Sequence, residues 1–197
     1  ATIVYDDLGR QQSITWRGPG GTVITSDEVT RSLAGRILNE LVDGVDPNVG
    51  SNNFVYDGAG RLTDAWTPGQ RTQYAYAASG GCGLATTAGK NSNRTTTTVT
   101  PTGGSATAKA FCYDHADRLT SSTTAGIGTI TYDSHGNTTG IFGETHGYDN
   151  ANRHLTTVKG ATTVTYTRDA TDRLTQRAAT SETTVRYWYG NGTDSTS

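Results

Sequence analysis

VYDGAGRLT, residues 55–63, decides the fold because the chain repeats it with small changes. Aligned on Tyr-Asp-x-x-Gly-Arg-Leu-Thr, copies begin as YDDLGRQQ at Tyr5, YDGAGRLT at Tyr56 and YDHADRLT at Tyr113. YDSHGNTT follows at Tyr132, YDNANRHL at Tyr148 and RDATDRLT at Arg168. Weaker copies are RSLAGRIL from Arg31 and GKNSNRTT from Gly89, with partial ones at Tyr76 and Tyr189. The starts fall at 5, 31, 56, 76, 89, 113, 132, 148, 168 and 189. A unit near twenty residues with variable insertions marks a repeat architecture, roughly ten units long.

The offsets have a physical reading. Alternating stretches precede the motifs: IGTITY sets Ile130 and Tyr132 on one face, and TTVTYTR sets Val164 and Tyr166 opposite Thr163, Thr165 and Thr167. That period of two means strand. The second-position carboxylates Asp6, Asp57, Asp114, Asp133, Asp149 and Asp169 can accept backbone hydrogen bonds two residues on, closing a turn. The fifth position holds Gly9, Gly35, Gly60 and Gly136, or Asn93, Asp117, Asn152 and Asp172, all residue types that tolerate the left-handed conformation. Each repeat is therefore expected to be a β-hairpin with the motif as its turn. The sixth position supplies Arg10, Arg36, Arg61, Arg94, Arg118, Arg153 and Arg173, spread evenly rather than clustered, each expected to reach the motif Asp or stack on a neighbouring Tyr. Residues 26–44 are the best helix candidate, with Ser26 as a cap, but the repeat register favours strands there. Tyr187, Trp188 and Tyr189 read as a strand entering the next unit.

Composition agrees with an all-β chain. Of 197 residues only 32% are hydrophobic and 17% charged, while 38 are Thr and 25 Gly. Branched Thr packs well on a pleated surface, and Gly supplies the positive φ of tight turns. A net charge of −2 gives no basic field for nucleic acid, and no apolar run is long enough to span a membrane. The sequence opens inside a repeat, so residues 1–197 are expected to be one array cut from a longer chain. Cys82 and Cys112 leave two readings: a disulfide, worth about 3–4 kcal/mol for a loop of this length, or two buried thiols. The disulfide is the expectation, and it favours an exported protein.

About twenty strands at about 4.8 Å each would make a flat sheet roughly 95 Å wide. Twisted sheets of that width curl, so the array is expected to spiral into a barrel-like wall or part of one.

Little reads as catalysis. His115 and His135 sit in turns, and His146 and His154 complete the histidines without a metal-ligand spacing. Ser134, His135 and Asp133 are adjacent on one turn and cannot converge as a triad. A carboxylate that recurs with every repeat is a turn residue, not half of a glycosidase pair. No catalytic, cofactor or metal residue is assigned, and the chain is read as a non-enzyme. Trp16, Trp66 and Trp188, with ten Tyr, form either a sugar-stacking surface or ladders of stacked tyrosines, and the fixed offset favours ladders.

The quoted copies resemble the YD repeats of bacterial RHS proteins, wall-associated proteins, insecticidal toxin-complex subunits and animal teneurins. GGCGLATTAGKNSNRTTTT, FCYDHADRLTS, YDSHGNTT and TYTRDATDRLTQR resemble actinobacterial RHS chains particularly closely. The resemblance implies a long sheet spiralling into a hollow shell around a variable C-terminal toxin, or an extracellular adhesion scaffold, with carbohydrate as a further ligand class. Asp46-Pro47 is similar to the cleavage region that ends RHS cores, but repeats continue far beyond it, so an ordinary turn is expected. The leading expectation is a secreted or cell-surface shell wall. Its partners would be the rest of the parent chain or another copy, and an enclosed cargo. The alternative is an adhesion or fibre module that binds glycans or self-associates through exposed sheet edges.

Overall fold

The computed structural model describes residues 1–190. Its backbone is almost entirely strand and turn, with two short 3₁₀ turns at Pro19–Gly21 and Ala88–Asn91. Contacts between Cα atoms divide the chain into two compact units, Ala1–Ala110 and Phe111 onward.

The first unit opens with β1 (Thr2–Tyr5), β2 (Gln11–Arg17), β3 (Val23–Arg31) and β4 (Ile37–Val42), an antiparallel sheet in that order. It continues with β5 (Phe54–Tyr56), β6 (Leu62–Thr67), β7 (Gln70–Ala75), β8 (Thr96–Pro101) and the start of β9 (Thr107–Tyr113), again neighbours in order. In the second unit the end of β9 pairs with β10 (Leu119–Ser122). A seven-stranded sheet follows, of β11 (Thr131–Tyr132), β12 (Thr138–Ile141), β13 (Glu144–Tyr148), β14 (His154–Lys159), β15 (Thr162–Arg168), β16 (Leu174–Ala179) and β17 (Glu182–Arg186). Among the described residues every pairing is antiparallel and no sheet closes on itself.

Among the described residues seven hairpins turn on the motif, joining β1–β2, β3–β4, β5–β6, β9–β10, β11–β12, β13–β14 and β15–β16. In the Tyr56 copy the Gly60 amide donates to Asp57 O at 2.8 Å and the Asp57 amide to Arg61 O at 2.9 Å. Gly60 sits at φ 79°, and the register slips by one at Tyr56, which pairs with Leu62. This is a tight turn closed by a left-handed residue and a bulge, a combination that matches the strand twist. The same slip recurs at Tyr5, Arg31, Tyr113, Tyr132, Tyr148 and Arg168. Residues 26–44 are strands on either side of such a turn.

Three local expectations change. Left-handed backbone falls on Gly9, Gly35, Gly60, Asp117, Gly136, Asn152 and Asp172, but Ser92 takes it in place of Asn93. The Gly89 copy has no second-position Asp and forms a 3₁₀ turn, not a hairpin. Tyr187–Tyr189 lie past the end of β17, and the turn of the Tyr189 copy falls outside the described residues.

The array breaks after β4 and after β10, where insertions fall, and hydrogen bonds from side chain or backbone span the gaps. Asn53 donates its amide to Asn39 Oδ1 and its Nδ2 to Glu40 O. The Ile130 amide reaches Thr120 O at 2.7 Å. Few apolar side chains are buried among the described residues: Ala65, Ala85, Ala88 and Ile130. Backbone ladders and motif side chains therefore carry much of the cohesion. Cys82 and Cys112 are both disulfide-bonded.

Candidate functional site

The repeated chemistry is the joint between one repeat and the next. It begins inside the turn. Asp57 Oδ1 accepts the Ala59 and Arg61 amides, each at 2.9 Å, and Oδ2 accepts Arg61 Nε at 2.7 Å. The same three bonds form at Asp6 with Leu8 and Arg10, and at Asp114 with Ala116 and Arg118. They recur at Asp149 with Ala151 and Arg153, and at Asp169 with Thr171 and Arg173. Asp133 makes them with Asn137 in the arginine position.

These donors hold all six carboxylates below the usual carboxylate range. The largest cause is the amide of the residue four on for Asp6, Asp57 and Asp114. For Asp133 and Asp149 it is the Asn137 or Arg153 side chain, and for Asp169 the Thr171 hydroxyl. Carboxylates held this way are poor proton acceptors, so the recurring Asp is a turn clamp.

The guanidinium then crosses to the following repeat. Arg36 lies 5.6 Å from the Tyr56 ring centroid, Arg61 4.3 Å from Tyr76, Arg118 4.6 Å from Tyr132 and Arg173 4.9 Å from Tyr189. These tyrosines carry arginines on their rings, where a ladder would have put other tyrosines. The hydroxyl returns across the joint. Tyr56 donates to Ile37 O at 2.9 Å, Tyr132 to Leu119 O at 2.8 Å, Tyr148 to Thr138 O at 2.9 Å and Tyr189 to Leu174 O at 2.8 Å. Each acceptor directly follows the sixth motif position. Arg31, standing where a tyrosine would, gives its Nη1 to the equivalent carbonyl of Gln11.

Fifth-position glycine has a second role that spacing along the chain does not reveal. A Cβ on Gly35 would meet Arg10 Nη1 at 3.0 Å, and one on Gly60 would fall on the Arg36 guanidinium. The glycine clears a path for the arginine of the repeat before it. Where it is absent, a polar side chain meets the incoming group: Asn137 Nδ2 donates to Asn152 Oδ1 at 2.8 Å, and Arg153 Nη1 to Asp172 Oδ1 at 3.4 Å.

Other candidates fare differently. His115 and His135 lie in exposed turns. The β13–β14 hairpin brings His146 and His154 to 5.4 Å between ring centroids, both bonded to Thr157 Oγ1, a pairing hidden by their spacing in the chain. Among the described residues no group of three His, Cys, Asp or Glu converges as a metal site. Arg71 lies 4.6 Å over the Trp66 ring and is bonded to Asp64 Oδ1 at 3.0 Å, occupying one ring face, whereas Trp188 is 88% exposed. Asp46 Oδ1 accepts the Asn48 amide, as a turn residue does.

No protein-family model matches the sequence, and no curated protein matches it. Solved structures do match. One is TcdB2-TccC3 without its hypervariable C-terminal region, 14% identical, with a TM-score of 0.56 over 93% of this chain and 11% of that one. Another is the Photorhabdus luminescens Tc holotoxin pore, 13% identical, with a TM-score of 0.45 over 90% of this chain and 9% of that one. The fold likeness rests on the first. The chain spans about a tenth of the length of the chains it matches. No described helix is long and apolar enough to cross a membrane. The repeat array shares the all-β fold of a segment of the TcdB2-TccC3 chain.

Proposed function

We propose that the chain is a wall segment of an exported RHS-type shell, a non-enzymatic scaffold that encloses a C-terminal toxin or other cargo. The observation that carries this reading is the joint itself. The motif Asp clamps its own turn, the motif Arg stacks on the next repeat, and the next Tyr returns a hydrogen bond, so the recurring polar groups are spent on extending a wall. A matched chain whose C-terminal region is hypervariable supports a constant wall beside a changing cargo. The disulfide state of Cys82 and Cys112 supports an oxidising compartment.

Limited proteolysis of the full parent chain, read by mass, tests the proposal. A C-terminal segment that resists protease until the repeats are unfolded is the expected result. A parent with no further repeats, or one whose C-terminal segment is cut as fast as a free peptide, refutes it. The edge strands, with Trp188 exposed, support a second reading as an adhesion or fibre module. Sedimentation over a concentration range separates the two, because growth of end-to-end assemblies belongs to the second.

A further inference from the structure

The ends of β6 to β9 away from the motif turns enclose a cavity that the joint does not use. It lies within the first unit, has a volume of about 480 Å³, and takes its apolar walls from Val45, Pro47, Pro68 and Pro101. Two hairpin tips build it. Pro68 and Gly69 turn β6 into β7, with Gly69 at φ 87°, and the turn from β8 to β9 is closed by the Gly104 amide on Pro101 O at 3.0 Å. The Thr102 amide donates to Gly69 O at 2.7 Å, which ties the tips together and leaves the cavity preformed. The insertion after β4 supplies the remaining side, where Val45 is 56% exposed.

Trp66 and Arg71, opposed across β6 and β7, give the cavity its donor-only side chains. Arg71 spends Nε and Nη2 on Asp64 Oδ1, which offsets its charge and leaves Nη1 without a partner among the described residues. The Trp66 indole N–H is also unpartnered among them, and neither nitrogen is shut off from solvent. No carboxylate of the described residues lines the cavity.

These features select a ligand. Indole and guanidinium can only donate, so the ligand brings acceptors, and because the guanidinium is already paired a neutral acceptor suits it better than an anion. With no carboxylate to receive N–H groups, a ligand that carries few donors loses least on leaving water. Each prolyl residue brings a carbonyl and an apolar ring but no N–H. Its extended conformation also exists before binding, which lowers the entropy lost. We propose that this cavity docks an extended, proline-containing segment of a partner polypeptide, with the Trp66 N–H donating to a segment carbonyl and the prolyl rings against the apolar walls. A partner supplies the segment because this sequence has four prolines, three of them the walls themselves. A sugar would bring a hydroxyl donor with each acceptor, and Arg71 already lies 4.6 Å over one face of the ring it would stack on. The inference does not depend on the shell reading.

NMR on the nitrogen-labelled chain tests it, with two unstructured peptides of equal length and charge: one alternates Ala and Pro, and the other has Ala at every Pro. The Ala-Pro peptide should move the Trp66 indole cross-peak and leave those of Trp16 and Trp188 in place. The all-Ala peptide should bind about tenfold or more weakly. W66F keeps an aromatic ring but removes the N–H, and should weaken the Ala-Pro peptide about fivefold. V45D changes an exposed wall and should weaken it while the rest of the spectrum stays that of the folded chain. The indole shift in the unsubstituted protein needs no variant, so the test stands even where W66F unfolds. A Trp66 cross-peak that does not move, equal binding of the two peptides, or an affinity unchanged in a folded W66F or in V45D overturns the proposal. Tighter binding of a Glu-Ala peptide overturns it as well, because the cavity would then be an anion site.

Discussion

Replacing Gly60 with alanine should cost more than the same change at Gly9, and the excess should vanish when Arg36 is removed. Both glycines are left-handed, at φ 79° and 74°, and an alanine in that conformation costs about 1–2 kcal/mol. At Gly9 the new Cβ meets nothing within 4 Å, so that is the whole penalty. At Gly60 it lands on the Arg36 guanidinium and drives it off the Tyr56 ring. A lost stack of this kind adds about 0.5–1 kcal/mol. Unfolding followed by Trp16 and Trp66 fluorescence reads the unit that holds all four residues, and the excess should lower its Tm by roughly 2–5 °C. A double-mutant cycle with R36A isolates the contact. Equal penalties at Gly9 and Gly60, or an excess that survives R36A, would refute the claim that Gly60 clears space for the preceding arginine.

Three further outcomes follow from the same contacts. Tyr132→Phe keeps the ring under Arg118 but strands Leu119 O, and should lower stability by about 0.5–1.5 kcal/mol in urea unfolding; no change would mean the hydroxyl bond contributes nothing. The six motif carboxylates titrate below their unfolded value of about 3.9, so their stabilisation is complete above about pH 4 and is lost as pH falls through the folded values. The urea midpoint should hold from about pH 7 to 5 and fall below about pH 4, and a flat profile to about pH 2 would contradict the clamp. Thiol titration of unreduced, unfolded protein should find no free thiol, and reduction should cost about 3–4 kcal/mol.

The turn was legible because its causes are local. Asp57, Gly60 and Arg61 lie within five residues, so spacing alone forecasts the amide acceptor and the left-handed residue. The degenerate copy shows the limit of that reasoning. With Lys90 at the second position there is no carboxylate to accept the turn amides, and the left-handed residue moves to Ser92. What the sequence concealed is which group a side chain meets in the neighbouring repeat. Arg36 and Gly60 are separated along the chain by an insertion of no fixed length, and only the lateral packing of hairpins brings them together. The sheet breaks were equally hidden, because the bond from the Asn53 amide to Asn39 Oδ1 forms only where two strand ends far apart in the chain face each other.

The joint also has a direction, and the two hairpin repeats with arginine in place of the first tyrosine reveal what it demands. An arginine leaving one turn needs an aromatic face ahead of it, and a second cation in that place is repulsive. Arg31 avoids the conflict by extending to Gln11 O, the same kind of acceptor the tyrosine hydroxyl uses, and fifth-position Gly35 is retained with Arg10 beside it. Arg168 does not reach back. Its Nη1 donates to Asp172 O within its own turn, and its Nε is buried without a partner. Here the fifth position is Asp172, whose carboxylate lies 3.4 Å from Arg153 Nη1 and 3.8 Å from Arg168 Nη1. A counter-charge between two guanidinium groups does the work that a tyrosine ring does elsewhere. First and fifth positions of one repeat therefore answer to the sixth position of the repeat before it, which makes a lone motif uninformative and an ordered run of them specific.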